Sequence, residues 1–371
     1  MLKAKLIPLK PNKSQEKQFW EFCSTARFVY NECLAYKISV YEKDGISLGV
    51  QDLIEHIQQL KSTEEYSWIK NTPEAVTKQA IKDLNKAFLN FYNRGNKGFP
   101  RFKSKKKTRP SFYQRTDRIR QIDNRHIKIT GISDPVKCSP FVMPEKVVNT
   151  RVFFDGKYWF LSYSYEIKEI ENNSTGEIVG VDLGINNLAI TSNGIFYPNI
   201  NKSEKIRKLI KKKKRLQRKL SKKYRINSNK TNNIIKLEKK TRLIDRKLRN
   251  IRNTYIHKVT SDLVKNKPGA IVIEDLSVSS MMKNGCLADY IQQQEFRKFR
   301  KYLEYKTKEN GITLIVAERF YPSSRICSCC GELKNNLLLS DRVYKCNECG
   351  TTIDRDLNAS INLKNYYKIV Y

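Results

Sequence analysis

The sequence predicts an α/β half joined to a β-rich half that carries a helical insertion. Three observations support this. Apolar residues alternate with period two from about residue 125 to 167. After residue 176, short buried apolar runs alternate with long helical stripes. Two Cys-x-x-Cys pairs then stand between the last apolar run and the last helix.

The chain opens with "LKAKLIPLK", which reads as a strand closed by Pro8 and Pro11. Phe19, Cys23, Ala26, Tyr30 and Cys33 follow at spacings of three and four, so Cys23 and Cys33 sit on the apolar stripe of a helix. A second helix start is written at Thr72, Pro73 and Glu74, as N-cap, first helical position and acidic first turn. Val76, Ala80, Leu84, Phe88 and Phe91 form its stripe, and Gly95 and Gly98 end it. "GFPRFKSKKKTRPSFYQRTDRIRQ" then interleaves cations with Phe99, Phe102, Phe112 and Tyr113. Cations neutralise phosphates and aromatics stack on unpaired bases, so this stretch reads as a nucleic-acid contact and not only as a solvated loop. In "VVNTRVFFDGKYWFLSYSYEI", Asp155-Gly156 marks a hairpin turn, and Trp159, Leu161, Tyr163, Tyr165 and Ile167 alternate onto one face. The first half is therefore expected to be a β-barrel or sandwich with a helical insertion. The polar "KEIENNSTGE" is the expected domain boundary.

The second half opens with the strands "EIVGVDLG" and "NLAITS", and Asn193-Gly194 turns into "IFYP". Two long helices follow, expected as an antiparallel hairpin. The first, "SEKIRKLIKKKKRLQRKLSKKYR", is almost all cation; the second carries Leu237, Ile244, Leu248, Ile251, Tyr255, Val259 and Leu263 on one stripe. His257 lies near that stripe, where a core or supporting role is expected. "PGAIVIEDL" is a buried strand, a helix is expected from about Asp289 to Asn310, and "ITLIVAERF" is the next strand. The final helix begins near Asp356. The order β-β-β, α, β, α, β, insertion, α is that of an RNase H-like fold.

Charge limits the partners. The 371 residues include 72 Lys and Arg against 37 Asp and Glu, a net charge of +35. A compact fold tolerates that excess when a polyanion neutralises it, and nucleic acid is the expected partner. An anionic membrane surface is the alternative, but no apolar run is long enough to span a bilayer. "MLKAKLIPLKPNKS" lacks the continuous apolar core of a signal peptide, and the nine cysteines are partly scattered and partly clustered. A reducing cytoplasm with a metal site fits this better than a disulfide framework.

Cys327-x-x-Cys330 and Cys346-x-x-Cys349 bracket fifteen residues, the spacing of a four-cysteine zinc site. Gly331 and Gly350 follow the two pairs and supply the backbone freedom that a metal knuckle needs. Four thiolates leave no position open for substrate, so the expected Zn2+ is structural. Cys329 is left as a spare.

Asp182 lies in a buried apolar strand, where an unpaired carboxylate is costly. Glu274 stands at the end of another such strand, and Asp356 opens the last helix. In an RNase H-like sheet the first and fourth strands are neighbours and the last helix packs across them, so the three acids converge. Such a cluster calls for cations, and two Mg2+ ions on hard oxygen ligands can clamp the attacking and leaving oxygens of a phosphodiester. Each acid also has an ordinary reading. Asp182 could cap a turn, Glu274 could pair with a lysine of the helical hairpin, and Asp354 or Asp356 could be an N-cap. Asp275 is an equally available acid beside Glu274. The three together, in this order, favour the metal site.

"GVDLGINNLAI", "IVIEDLSV", "YPSSRICSCCG", "CNECG" and "DRDLNASIN" resemble the signature blocks of the TnpB family. These are RNA-guided nucleases encoded by bacterial and archaeal insertion sequences and related to type V CRISPR effectors. "ARFVYNECL" and "GFPRFKSKKK" extend the resemblance over nearly the whole chain. Ser360, where alanine is usual, and Cys329 between the ligands are its departures. The resemblance implies a guide RNA from the transposon end and a target double-stranded DNA beside a short motif. It also implies a single RuvC site with Asp182, Glu274 and Asp356 as catalytic acids, and Arg355 and Asn358 as supporting or backbone-facing residues.

The expected organisation is a β-barrel-like wedge domain of residues 1–10 and 97–175 with a helical recognition insertion at 11–96. A RuvC-like nuclease domain of 176–325 and 351–371 follows, with the zinc-binding insertion at 326–350. Arg101, Phe102, Lys103, Lys105, Lys106, Lys107, Lys212, Lys213, Arg215 and Arg218 are the expected nucleic-acid contacts. A monomer is favoured. A nuclease-inactive RNA-guided repressor and a DNA-joining transposase are the rival functions.

Overall fold

The computed structural model describes residues 2–93, 98–105, 107–166, 176–226, 231–283, 285–338 and 341–370, without the side chain of Cys286. Lys106, Gly95, Ile167 and most of the expected boundary at 168–177 lie outside the described residues. The chain divides into two compact units, Leu2–Glu166 and Ile167–Tyr371.

The first unit begins with β1 (Leu2–Lys10), followed by three helices, α1 (Lys13–Asp44), α2 (Val50–Ser62) and α3 (Glu74–Asn93). Asn12 caps α1. Its side chain accepts from Gln15 N at 2.8 Å, and the Gln15 side chain accepts from Asn12 N at 3.1 Å. Cys23 and Cys33 are buried, as their place on the stripe requires. The Thr72 hydroxyl lies 2.8 Å from that of Thr25, so it ties the start of α3 to α1.

Six short strands complete this unit: β2 (Ser111–Gln114), β3 (Arg120–Asp123), β4 (His126–Lys128), β5 (Val136–Cys138), β6 (Asn149–Phe154) and β7 (Trp159–Glu166). The sheet order is β2-β6-β7-β1-β5-β4-β3. It runs between two edges, and among the described residues no ladder joins them, so the described pairing is that of an open sheet. Pro8 does not close β1. It pairs opposite Phe160, and β5 begins to pair only at Leu9, so the missing proline N–H interrupts no ladder on that side. Phe19, Phe112, Trp159, Leu161 and Tyr163 meet in the core between sheet and helices.

The second unit holds β8 (Ile178–Asp182), β9 (Asn187–Thr191) and β10 (Phe196–Pro198), then α4 (Glu204–Ile226) and α5 (Asn232–Lys265), then β11 (Ala270–Ile273). α4 and α5 pack through Ile206, Leu216, Ile244 and Leu248. Three helices follow: α6 (Val278–Met281), α7 (Gly285–Gln294) and α8 (Phe296–Asn310). The single helix expected from Asp289 is therefore broken, because Glu295 sits between α7 and α8 in the left-handed region with φ 54°. His257 is exposed, its ring stacked 3.9 Å from Tyr302, which corrects the core role expected for it.

β12 (Thr313–Val316), β13 (Val343–Lys345), β14 (Thr352–Asp354) and α9 (Arg355–Val370) complete the chain. The five-stranded sheet has the order β10-β9-β8-β11-β12, with β8, β11 and β12 parallel. The first and fourth strands of the unit are thus neighbours. Ile271 and Ile273 join the core on one sheet face with Phe299 and Leu303 of α8. Ala270 and Val272 join the core on the other, with Leu363 and Tyr366 of α9. Among the described residues, no helix is long and apolar enough to cross a membrane.

Candidate active site

The parallel register pairs Val181 with Ile273, so the next residues, Asp182 and Glu274, emerge side by side at the strand ends. Both have the parity of the α9-facing positions, and each carboxyl bears on the protonation of the other. Ser323 Oγ donates to Glu274 Oε1 at 2.5 Å. Asp182 is buried and Glu274 half-buried.

Asp356 arrives from the first turn of α9. That helix crosses β8 where Gly180 leaves room. A Cβ at Gly180 would lie 2.0 Å from Ser360 O and 2.4 Å from Lys364 N. Asp354 serves as the N-cap, its Oδ1 accepting from Asp356 N and Leu357 N, both at 3.0 Å. The two aspartates of "DRD" thus divide their work: one holds the helix end and the other is left for the site.

Burial raises the Asp182 carboxyl well above the usual carboxylate range, with the charges of Glu274 and Asp356 adding to it. Burial also raises Glu274, against the lowering effect of the Ser323 hydrogen bond. Asp356 is raised by burial and by Asp354, and the Arg342 and Arg355 charges oppose this. The three carboxylates do not form a tight cage, because among the described residues the one group of ligand atoms all within 4.8 Å of one another is the cysteine set. Their donor chemistry is nonetheless that of a hard divalent ion: oxygen ligands, partly buried, with excess negative charge.

Asp275 has the opposite parity and a different fate. It accepts from Arg300 Nη1 at 2.8 Å, and from Arg319 Nε and Nη2 at 3.1 and 2.8 Å. Those two guanidinium groups hold its carboxyl below the usual range, the Arg319 hydrogen bond contributing most.

Cys327, Cys330, Cys346 and Cys349 converge. The Cys327–Cys349 and Cys330–Cys346 sulfurs are each 3.6 Å apart. The edge of a tetrahedral zinc–thiolate site is about 3.8 Å, so the set fits Zn2+. Gly331 (φ 80°) and Gly350 (φ 70°) occupy the left-handed region at the ends of the two knuckle turns. The Thr351 hydroxyl and backbone lower the Cys349 thiol to about 6. Cys329 is exposed and outside the cluster.

Two asparagines fasten this knuckle to α9. Asn358 Oδ1 accepts from Ser328 N at 2.9 Å, and its Nδ2 donates to Ile326 O at 2.7 Å. Asn362 Nδ2 donates to Ser323 O at 2.7 Å and to Ile326 O at 2.6 Å. Ser323 and Asn362 lie in the blocks "YPSSRICSCCG" and "DRDLNASIN", but nothing local singled them out, because their roles depend on contacts with segments far away in the chain.

The expected nucleic-acid contacts separate by exposure. Arg101, Phe102, Lys105 and Lys107 are exposed, as are Lys212, Arg215 and Arg218 on α4. Lys213 is paired with Asp245 at 2.6 Å. Lys103 turns inward with Nζ 3.4 Å from the centre of the Tyr30 ring, and burial lowers it to about 8. Lys106 lies outside the described residues.

Three family descriptions match: "Helix-turn-helix domain" at residues 1–45, "Probable transposase" at 162–285 and "Cas12f1-like, TNB domain" at 296–363. The first of these covers β1 and the single long helix α1. A "Putative RNA-guided DNA endonuclease" of Streptomyces pristinaespiralis is 28% identical over 357 residues, 95% of this chain and 86% of that one. A "Putative RNA-guided DNA endonuclease InsQ" of Escherichia coli K12 is 29% identical over 379 residues, 98% of this chain and 91% of that one. By these matches the chain resembles the TnpB family. A cryo-EM structure of a Cas12f1–sgRNA–target DNA complex shares its fold, at a TM-score of 0.60 and 17% identity over 95% of this chain and 83% of that one. The four cysteines lie inside the segment that matches the TNB domain, and Asp182 and Glu274 inside the segment that matches the probable transposase.

Proposed function

We propose that the chain is an RNA-guided DNA endonuclease of an insertion sequence, acting in the cytoplasm, that hydrolyses phosphodiesters of target DNA beside a short motif. The observation that carries this is the facing pair of carboxyls, buried Asp182 and half-buried Glu274, on adjacent parallel strands, with Asp356 at the start of α9, which packs across them. The relatives named as RNA-guided endonucleases over nearly their full length support the guided part of the reading.

Asp182, Glu274 and Asp356 would hold two Mg2+ ions in an RNase H-like, RuvC-type site. Bound there, the metals supply Lewis acidity and lower the pKa of water. The chain's own work is to place and neutralise. Ser323 orients one oxygen of Glu274. Arg355, whose charge lowers all three acids, offsets part of their repulsion. The zinc knuckle at 326–350, the wedge segments 1–10 and 97–175 and the helical insertion at 11–96 would hold guide and target, mainly by backbone contacts, while base pairing reads the sequence.

The test is cleavage by purified protein with its co-purified RNA, and sequencing of that RNA. The expected result is a discrete RNA and target cutting in magnesium, lost in Asp182→Ala with RNA binding retained. Retained cutting by that variant would sink the metal assignment. No cutting with an intact guide would favour a repressor, and joined product strands would favour a transposase.

A further inference from the structure

Phe320 lies between two anchored neighbours. Arg319 is tied to Asp275. Tyr321 donates its hydroxyl to Asn362 O at 3.2 Å, packs its ring 4.7 Å from that of Tyr366 and donates its backbone N–H to Glu318 O at 3.0 Å. The chain on each side of Phe320 is therefore held to the sheet and to α9, yet the Phe320 side chain is 90% exposed. An aromatic ring held in water forfeits its burial energy unless something covers it.

Its position indicates what covers it. Phe320 lines a cavity of about 440 Å³ whose wall also includes Glu274, with Leu276, Met281 and Tyr321. One ligand that needs both a flat apolar contact and a nearby phosphodiester-cleaving site is an unpaired nucleotide. Every base has a π-face free to stack once it leaves the duplex.

We propose that Phe320 is the stacking platform for an unpaired base of the strand presented to Asp182, Glu274 and Asp356. This rests on the reading that the site takes nucleic acid. In a duplex both faces of a base are covered by its neighbours, and the ring finds no partner.

The test uses the full-length, zinc-loaded protein in magnesium-free buffer, where no cutting is needed. A single-stranded oligonucleotide carrying 5-iododeoxyuridine is irradiated, and the crosslinked residue is identified by mass spectrometry. The expected result is a crosslink at Phe320. In magnesium, Phe320→Ala should raise KM for a single-stranded substrate roughly 5- to 100-fold with kcat little changed, and Phe320→Trp should restore it. An unchanged KM in Phe320→Ala, or crosslinks only elsewhere, overturns the proposal. A crosslink at Phe320 in a protein that cuts nothing would leave the stacking site standing and remove the nuclease reading.

Discussion

Ser323 Oγ donates to Glu274 Oε1 across 2.5 Å, while the Ser323 carbonyl accepts from Asn362 of α9. One serine just ahead of the zinc knuckle therefore orients an acid at the end of β11. Removing a partner that orients a metal ligand typically costs 10- to 100-fold in affinity. Ser323→Ala should raise the magnesium concentration needed for half-maximal cleavage roughly tenfold or more. A magnesium titration checks this, and an unchanged midpoint would make the bond incidental.

The raised carboxyls set a pH dependence. In the folded chain Asp182 binds its proton more tightly than in the unfolded chain, so the folded state carries more protons. Its contribution to stability is complete below the ordinary carboxylate range and is lost as pH rises through the raised value. Each pKa unit of difference is worth about 1.4 kcal/mol. In magnesium-free buffer the Tm of the unit 167–371 should fall from pH 5 to pH 8, and magnesium should restore it. Asp182→Asn should flatten that profile and raise the Tm at pH 8 while abolishing cleavage. Calorimetry across this range is the measurement.

The clustered cysteines divide into a converging set of four and Cys329, which stands outside it. Cys346→Ser should lose the bound zinc and loosen α9, because Asn358 and Asn362 are held by the backbone of Ile326 and Ser328 beside the first knuckle. Cleavage and magnesium affinity should fall together. Cys329→Ser should keep its zinc and its activity, since Cys329 is exposed and outside the set. Metal analysis of the two proteins separates the outcomes.

Gly180 permits the crossing of α9 over β8. Gly180→Ala places a methyl within 2.4 Å of backbone atoms on both Ser360 and Lys364. Backbone cannot rotate aside, so the helix must shift, at a cost of about 3 kcal/mol or more. Asp356, one turn before Ser360, shifts with it. Urea unfolding should report the stability loss, and cleavage should fall further than the stability loss accounts for.

Lys212, Arg215 and Arg218 on α4 are exposed. Replacing Lys212, Arg215 and Arg218 by Gln should weaken RNA binding at every sequence and reduce the slope of log K against log salt by about 2, at about 0.7 per lost contact with a single strand. Filter binding across a salt series measures this.

Much of the architecture was legible locally. Period-two runs, helical stripes and the Cys-x-x-Cys spacing need only neighbours in the chain, so Trp159, Leu161 and Tyr163, the α4–α5 hairpin and the four cysteines could be placed from sequence. The breaks were harder to see. Glu295 adopts a left-handed backbone that side chains rarely take, and nothing in its residue type announces it.

The sequence by itself determined that carboxylates sit at the ends of apolar strands and at the start of a helix, because burial makes isolated acids there costly. It could not decide between Glu274 and Asp275, or between Asp354 and Asp356. Tertiary structure gives each of the four a different setting. Register with β8 sends Glu274 to the α9 face beside Asp182, and sends Asp275 to the opposite face, where Arg300 and Arg319 claim it. The cap geometry of α9 gives Asp354 to the backbone and leaves Asp356 to the site. The physical reason is parity and partner. Adjacent residues in a strand point to opposite faces, and a carboxylate's role follows from the charges it meets there, which come from segments far apart in the chain.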